Sequence, residues 1–288
     1  MSPPTSHWPA RSPRTEASPT APAPTPGAPA PTPRPSIRVG TAGWSIPRAV
    51  ADSFPAPGAH LERYSRVLPC SEINATFYRS PHPSTYARWT ASTPETFRFS
   101  VKAPKSITHI SALACTPAEL QLFLDEARQL GGKLGPILVQ LPPKLAFDPA
   151  RAETFFALLR SLHTGPVALE PRHPTWFTPE ADSLLNQLQI ARVAADPAIT
   201  PSAAHPGGHP SLLYLRLHGS PRTYYSPYTP EFLAQLAADL RQSSSPEIWC
   251  IFDNTASGAA AANALTLLQS LLTPDSQPEL SSQSYLPR

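Results

Sequence analysis

The chain has 288 residues, 41% hydrophobic and 15% charged, with a formal net charge of +3, enough apolar material for one large core that buries about 75% of the unfolded surface. Arg11, Arg14 and Arg34 against Glu16 put most of that charge in the first 36 residues, so the remainder is nearly neutral and lacks the basic excess of a typical nucleic-acid-binding domain. Cys70, Cys115 and Cys250 are isolated and odd in number, which argues against a disulfide framework or a cysteine zinc site, and no apolar run is long enough to span a bilayer.

Residues 1–36 are almost entirely Pro, Ala, Thr and Ser. Such a segment buries too little surface to offset its ordering entropy, so a disordered tail of polyproline II character is expected. It lacks the apolar stretch of a secretory leader, and with reduced cysteines this points to a cytoplasmic protein. From residue 37 short β-like runs alternate with helical stretches. The predicted strands are Ile37–Thr41, Ser71–Phe77, Phe97–Lys102, Pro136–Leu141, Pro166–Glu170, Ala191–Asp196, Leu213–His218 and Trp249–Asp253. Helices are expected within His60–Leu68, Ser84–Ala91 and Ala256–Leu271. Others are marked by their starts: the capping box Thr116-Pro117-x-Glu119, then Asp148-Pro149, Thr178-Pro179-Glu180 and Thr229-Pro230-Glu231. Gly131 and Gly165 stand where left-handed C-terminal caps are expected. Eight strand–helix units with one core predict an α/β fold, a single (β/α)8 TIM-type barrel over residues 37–272. Between Pro197 and Pro210 the chain is rich in breakers, so the sixth crossover is predicted to be a loop and the barrel imperfect. Residues 273–288 read as a second disordered tail. An open doubly wound sheet is disfavoured because no Gly-rich dinucleotide turn follows any strand, and no cofactor is implied.

In a barrel strand one parity packs on the helices and the other faces the interior. Glu72, Asn74 and Thr76 share one side of the second strand; Arg98, Ser100 and Lys102 of the third; Leu138 and Gln140 of the fourth; Glu170 and Arg172 of the fifth; Tyr214, Arg216 and His218 of the seventh. This predicts a polar interior whose charges gather toward the C-terminal ends, where barrel enzymes place their chemistry. Glu72, Glu170, His109, His173, His218 and Asp253 are the candidate catalytic residues. Trp44, Asn74, Tyr78, Arg79, Lys102, Gln140, Arg172, Arg216 and Asn254 are the candidate substrate-binding residues. The competing interpretation is a buried ion-pair lattice that only braces the barrel.

The motifs Gly40-Thr41-Ala42-Gly43-Trp44, Glu72-Ile73-Asn74-Ala75-Thr76-Phe77-Tyr78-Arg79, Phe99-Ser100-Val101-Lys102 with Thr108-His109, Lys133-Leu134-Gly135 with Gln140-Leu141-Pro142-Pro143, Glu170-Pro171-Arg172-His173 with Trp176, Arg216-Leu217-His218-Gly219 and Phe252-Asp253-Asn254 occur in this order. Together they resemble the YecE-like family, the domain of unknown function 72. The resemblance spans nearly all of Ile37–Leu272 and implies a TIM-barrel-like fold without implying an activity. The chain departs from the family pattern at Ala42 and over Ile46-Pro47-Arg48.

Arg79, Lys102, Arg172 and Arg216 are expected to converge on one mouth, a set suited to phosphate or carboxylate recognition. Those cations would repel a metal, so no metal is expected despite His109, His173 and His218 lying beside Glu72, Glu170 and Asp253. Glu72 and Glu170 can form a carboxylate pair, but the adjacent cations favour ionisation of both. A Schiff base at Lys102 is disfavoured because carboxylate-rich surroundings would keep the amine protonated. The leading expectation is therefore a metal-independent enzyme acting by acid–base chemistry on an anionic, phosphorylated small molecule. The alternatives are a nucleic-acid processing or binding protein, in which Trp44, Tyr78, Trp176 and Tyr224-Tyr225 stack bases, and a non-catalytic anion sensor.

Overall fold

The computed structural model describes residues 35–273. The expected disorder of residues 1–34 and 274–288 lies outside the described residues. Ser36, assigned above to the first tail, already belongs to the first strand.

The strands are β1 (Ser36–Ala42), β2 (Cys70–Ile73), β3 (Arg98–Lys102), β4 (Leu134–Gln140), β5 (Val167–Glu170), β6 (Ala191–Arg192), β7 (Ala194–Asp196), β8 (Gly207–Gly208), β9 (Leu212–Leu217) and β10 (Glu247–Phe252). The helices are α1 (His60–Ser65), α2 (Pro83–Ala91), α3 (Pro117–Ala127), α4 (Pro149–Leu162), α5 (Pro179–Gln187), α6 (Pro230–Gln242) and α7 (Ala259–Leu272). Their order in the sheet is β7-β9-β10-β1-β2-β3-β4-β5-β6-β8, parallel except where β8 pairs with β6. The predicted sixth strand is interrupted at Val193. Its first half pairs with β5 and its second with β9, so the ring closes through a strand shared between two neighbours. The sixth crossover is indeed no α-helix: it is a 3-10 turn, Pro201–Ala204, followed by the two residues of β8. Arg192 holds it down, bonding Asp182 on α5 at 2.7 and 2.9 Å and the carbonyls of Ser202 and His205.

Local chemistry sets the helix starts. Thr116, Asp148, Thr178 and Thr229 each accept a hydrogen bond from the backbone N–H three residues on, with proline at the next position. Gly131 takes the positive φ expected of it, +55°. Gly165 does not; a Cβ there would lie 2.7 Å from the His163 ring, so it is the space, not the dihedral, that requires glycine.

Two apolar layers result. Between strands and helices lies the main core, with Tyr64, Phe97, Phe99, Phe155, Phe156, Leu215 and Phe252 fully buried. Inside the ring, Cys70, Leu138, Ala168, Ala191, Val193, Leu212, Tyr214, Trp249 and Ile251 form a second cluster. The Trp249 and Tyr214 rings stack at 6.2 Å with 5° between their planes. Gly135 makes room for this floor: a Cβ there would meet the Trp249 indole at 2.5 Å. The interior is therefore apolar in its N-terminal half and polar only above it.

The second strand departs most from expectation. It stops at Ile73, and Ala75–Phe77 forms a 3-10 turn. Thr76 is turned to donate its hydroxyl to the carbonyls of Ile73 (3.1 Å) and Lys102 (2.7 Å), tying the end of β2 to the end of β3.

Candidate functional site

Strand alternation brings the charged residues together above the floor. Glu72 lies opposite Ser100 in the β2–β3 register, and Gln140 opposite Glu170 in the β4–β5 register. Arg216 on β9 sits at the centre, 1% exposed. Its Nε and Nη2 donate to the two carboxylate oxygens of Glu72 at 3.0 and 2.6 Å, the bidentate geometry that suits a guanidinium. Its Nη1 donates to Glu170 Oε2 at 2.6 Å and its Nη2 also to Asp253 Oδ2 at 3.0 Å. Tyr214 donates to Glu72 Oε2 and lies 2.8 Å from the Ser100 hydroxyl, so the polar cluster rests directly on the apolar floor.

Burial opposes charge on Arg216, but Glu170, Glu72 and Asp253 outweigh it and hold its pKa well above the ordinary value. Burial also opposes ionisation of Glu170, yet Arg216, Arg172 and His218 hold its carboxyl well below the usual range. Asp253 is lowered in the same way: burial works against it, and Arg216 and His218 prevail. The deep members of the cluster are thus fixed ions, and Arg216 positions carboxylates rather than meeting solvent.

Beside them lie His218, still 1% exposed, and the partly exposed Arg172. His218 Nδ1 faces Asp253 Oδ2 at 3.0 Å. Its Nε2 lies 2.8 Å from Glu170 Oε1 and 3.0 Å from Arg172 Nη2, which itself contacts Glu170 Oε1 at 2.7 Å. A proton on Nε2 is donated to Glu170; without it, Nε2 accepts from Arg172. Both protonation states of the ring therefore have a partner already in place. Arg172 is partly exposed, and its Nε is buried without a partner. Lys102, at the end of β3, makes no ion pair or hydrogen bond through its ammonium among the described residues; it sits 4.3 Å from the centre of the Phe77 ring. Burial and the Arg216 charge lower its pKa, with Glu72, Glu170 and Asp253 acting against them.

His109 joins this edge through Phe77, its ring edge-on at 5.0 Å, and burial followed by the Lys102 charge lowers its pKa. It is carried by a π-helical turn, Ser106–Ile110, an irregularity common at functional sites. Gln140 borders Glu170 and donates to the Leu141 carbonyl at 3.2 Å.

Other sequence candidates are placed elsewhere. His173 accepts from Thr175 N–H and caps the 3-10 turn Pro174–Trp176. Asn254 is fully buried and bonds Ser226 and Asn263, anchoring the loop after β9 to α7. Trp44 packs edge-on against Trp89 of α2 and Phe99 of β3, outside the ring. With Asn74, whose Oδ1 is buried and unpartnered, it borders an outer cleft of about 320 Å³. Tyr78, 74% exposed, and Arg79 border another cleft beside α3, so Arg79 is not among the cluster's partners. Trp176 is buried and donates to the Leu145 carbonyl, which removes it from any base-stacking surface.

Sequence reasoning passed over three contributors. Tyr214 shares the parity of Arg216 and His218, a signal that was available. Phe77 is predicted to be the last residue of a strand that in fact ends at Ile73. Tyr224, considered only as a base-stacking residue, adopts a positive φ of +69° and sets its ring edge-on to His218 at 5.8 Å. No strand periodicity reports on that loop.

The comparisons with known proteins agree with this architecture. The chain is 32% identical to UPF0759 protein YecE of Escherichia coli K12 over 153 residues, 52% of this chain and 54% of that protein. It is 29% identical to UPF0759 protein YunF of Bacillus subtilis over 151 residues, 50% of this chain and 53% of that one. The matched stretch thus spans about half the length of these relatives. A crystal structure of a DUF72 family protein from Thermotoga maritima superposes with a TM-score of 0.68 at 26% identity, covering 82% of this chain and 98% of that one. One from Enterococcus faecalis gives 0.67 at 23% identity, covering 85% and 100%, a likeness of fold. Among the described residues no helix is long and apolar enough to cross a membrane. A profile described as "Protein of unknown function DUF72" matches residues 38–285, past the end of α7, and the chain belongs to that family.

Proposed function

We propose that the C-terminal mouth of the barrel is the active site of an enzyme that acts on a small anionic molecule, phosphorylated by preference, through metal-independent acid–base chemistry. The observation that carries this reading is the pair of cations with unused donors at the mouth. Arg172 has a buried Nε without a partner, and the Lys102 ammonium has no counter-ion among the described residues. A buried charged donor left unsatisfied is costly, and an anion accepting from both relieves that cost. The acid–base part rests on His218, whose Nε2 stands between an acceptor, Glu170, and a donor, Arg172, while Asp253 orients the ring through Nδ1. The carboxylates of the cluster are already engaged by Arg216, Arg172 and His218, which leaves no free set for a cation there.

The test is thermal. Inorganic phosphate is expected to raise the unfolding midpoint by mass action, about 2.7 kcal/mol at one hundred times its dissociation constant. Arg172→Ala is expected to abolish the gain, and chloride at matched ionic strength to give none. Dialysis against a chelator is expected to leave the response unchanged. A phosphate response of equal size in Arg172→Ala would be general salt stabilisation and would overturn the reading. Turnover in a screen of phosphorylated metabolites then separates an enzyme from an anion sensor.

A further inference from the structure

We propose that Lys102 is an imine-forming amine: the site takes a carbonyl compound that carries an anionic group, with the carbonyl carbon bonding to Lys102 Nζ and the anion to Arg172. This deepens the preceding reading and rests on it.

Among 23 Lys and Arg residues only four are lysines: Lys102, Lys105, Lys133 and Lys144. Lys133 shows what a structural lysine looks like here. Its ammonium is buried and donates to the carbonyls of Thr90 and Thr93, both at 2.7 Å. Lys102 differs in every respect that matters for reactivity. Its backbone is clamped on both sides: its carbonyl accepts from Thr76, and the next amide, Ala103 N–H, donates to Leu138. Its ammonium makes no hydrogen bond or ion pair among the described residues; it lies over the Phe77 ring, 4.3 Å from the centroid, a contact an incoming carbonyl compound has to displace.

The objection raised by the sequence was that carboxylates would keep this amine protonated. The structure answers it. Glu72, Glu170 and Asp253 are all taken by Arg216, Arg172 and His218, and none pairs with Lys102. Burial first and then the Arg216 charge favour the neutral amine, while Glu72, Glu170 and Asp253 act in the opposite sense without prevailing. An arginine in this place has no accessible neutral form, whereas a lysine does.

The chemistry balances simply. The neutral Nζ lone pair forms a C–N bond to the carbonyl carbon, and the π pair of the C=O moves onto oxygen. Amine, carbonyl and one proton then give an iminium ion and one water. His218, whose Nε2 lies between Glu170 and Arg172, supplies the proton to the departing oxygen.

The experiment traps the adduct. The full-length protein is incubated with glycolaldehyde phosphate and sodium cyanoborohydride, which delivers hydride to the iminium carbon and leaves a stable secondary amine. Peptide mass spectrometry locates it. Lys102 is expected to be labelled at least about tenfold faster than Lys105, Lys133 or Lys144. Unphosphorylated glycolaldehyde, or Arg172→Ala with the phosphorylated probe, is expected to lose that preference. Lys102→Arg is expected to remove the label while unfolding cooperatively. Even labelling of all four lysines, or an unlabelled Lys102 in a protein that phosphate still stabilises, overturns the imine and leaves the anion site standing. If phosphate has no effect and Lys102 is unlabelled, both readings fail.

Discussion

Arg216 makes the strongest demand on its surroundings. With 1% of its surface exposed it neutralises two carboxylates that are themselves buried, Glu72 and Glu170. Breaking such a set by removing one partner leaves charge stranded, which costs about 3–5 kcal/mol. Arg216→Met is therefore expected to lower stability by that amount in urea unfolding, whereas Arg172→Ala at the partly exposed rim should cost clearly less. The same ions shape the acid limb. Glu170 and Asp253 have folded pKa values below their unfolded ones, so the unfolded chain binds more protons as the solution is acidified. Their contribution is complete above the unfolded carboxylate range near 4 and drains away as pH falls toward the depressed folded values. Asp253→Asn is expected to flatten the dependence of unfolding free energy on pH below about 4.5. An unchanged slope would show that the cluster does not ionise as described.

The least regular element is the sixth crossover, and one side chain holds it. Arg192 spans from β6 to α5 and to two carbonyls of the connecting segment. Gly207 is packed so closely that a Cβ would meet the Arg192 guanidinium at 2.3 Å, so β8 and Arg192 fit only as a pair. Hydrogen bonds to a charged group are worth about 1.5–3 kcal/mol each. Arg192→Ala is expected to speed amide exchange and proteolysis selectively between Pro197 and Gly208, with the midpoint lowered and the other crossovers unaffected. Uniform loss of protection would mean that the segment is not an independent unit. The sequence marked this segment correctly as non-helical, because Pro and Gly announce themselves locally. It did not show the brace, because nothing in the spacing of Arg192 and Asp182 marks a contact made only when two elements pack.

The barrel as a whole was legible because two signals agreed: proline-capped helix starts and strand parity. Seven of the candidate site residues, Glu72, Lys102, Glu170, Arg172, Arg216, His218 and Asp253, lie together at the mouth as that parity implied. The failures share a cause. Trp44, Tyr78, Arg79, His173 and Asn254 follow strand ends, where alternation is a weaker guide; Arg172, His218 and Asp253 also follow strand ends and still join the cluster. The division of the interior into an apolar floor and a polar mouth was missed because parity tells inside from outside but not depth. The floor can be tested. Trp249→Ala removes the indole that fills the space beside Gly135 and stacks on Tyr214, at a cost of about 3–5 kcal/mol. Because Tyr214 carries the hydrogen bond to Glu72, the same substitution is expected to weaken the phosphate response, which a distant cavity of equal size in the outer core would leave intact.

The stacked pair of Trp249 and Tyr214 also decides traffic. It fills the ring beneath the polar cluster and closes that side of the interior. On the function proposed above, a ligand of Lys102 and Arg172 enters from the opposite, C-terminal side and leaves the same way. Departure of one molecule and arrival of the next are then mutually exclusive events at a single doorway, and a spent ligand that lingers is its own blockade.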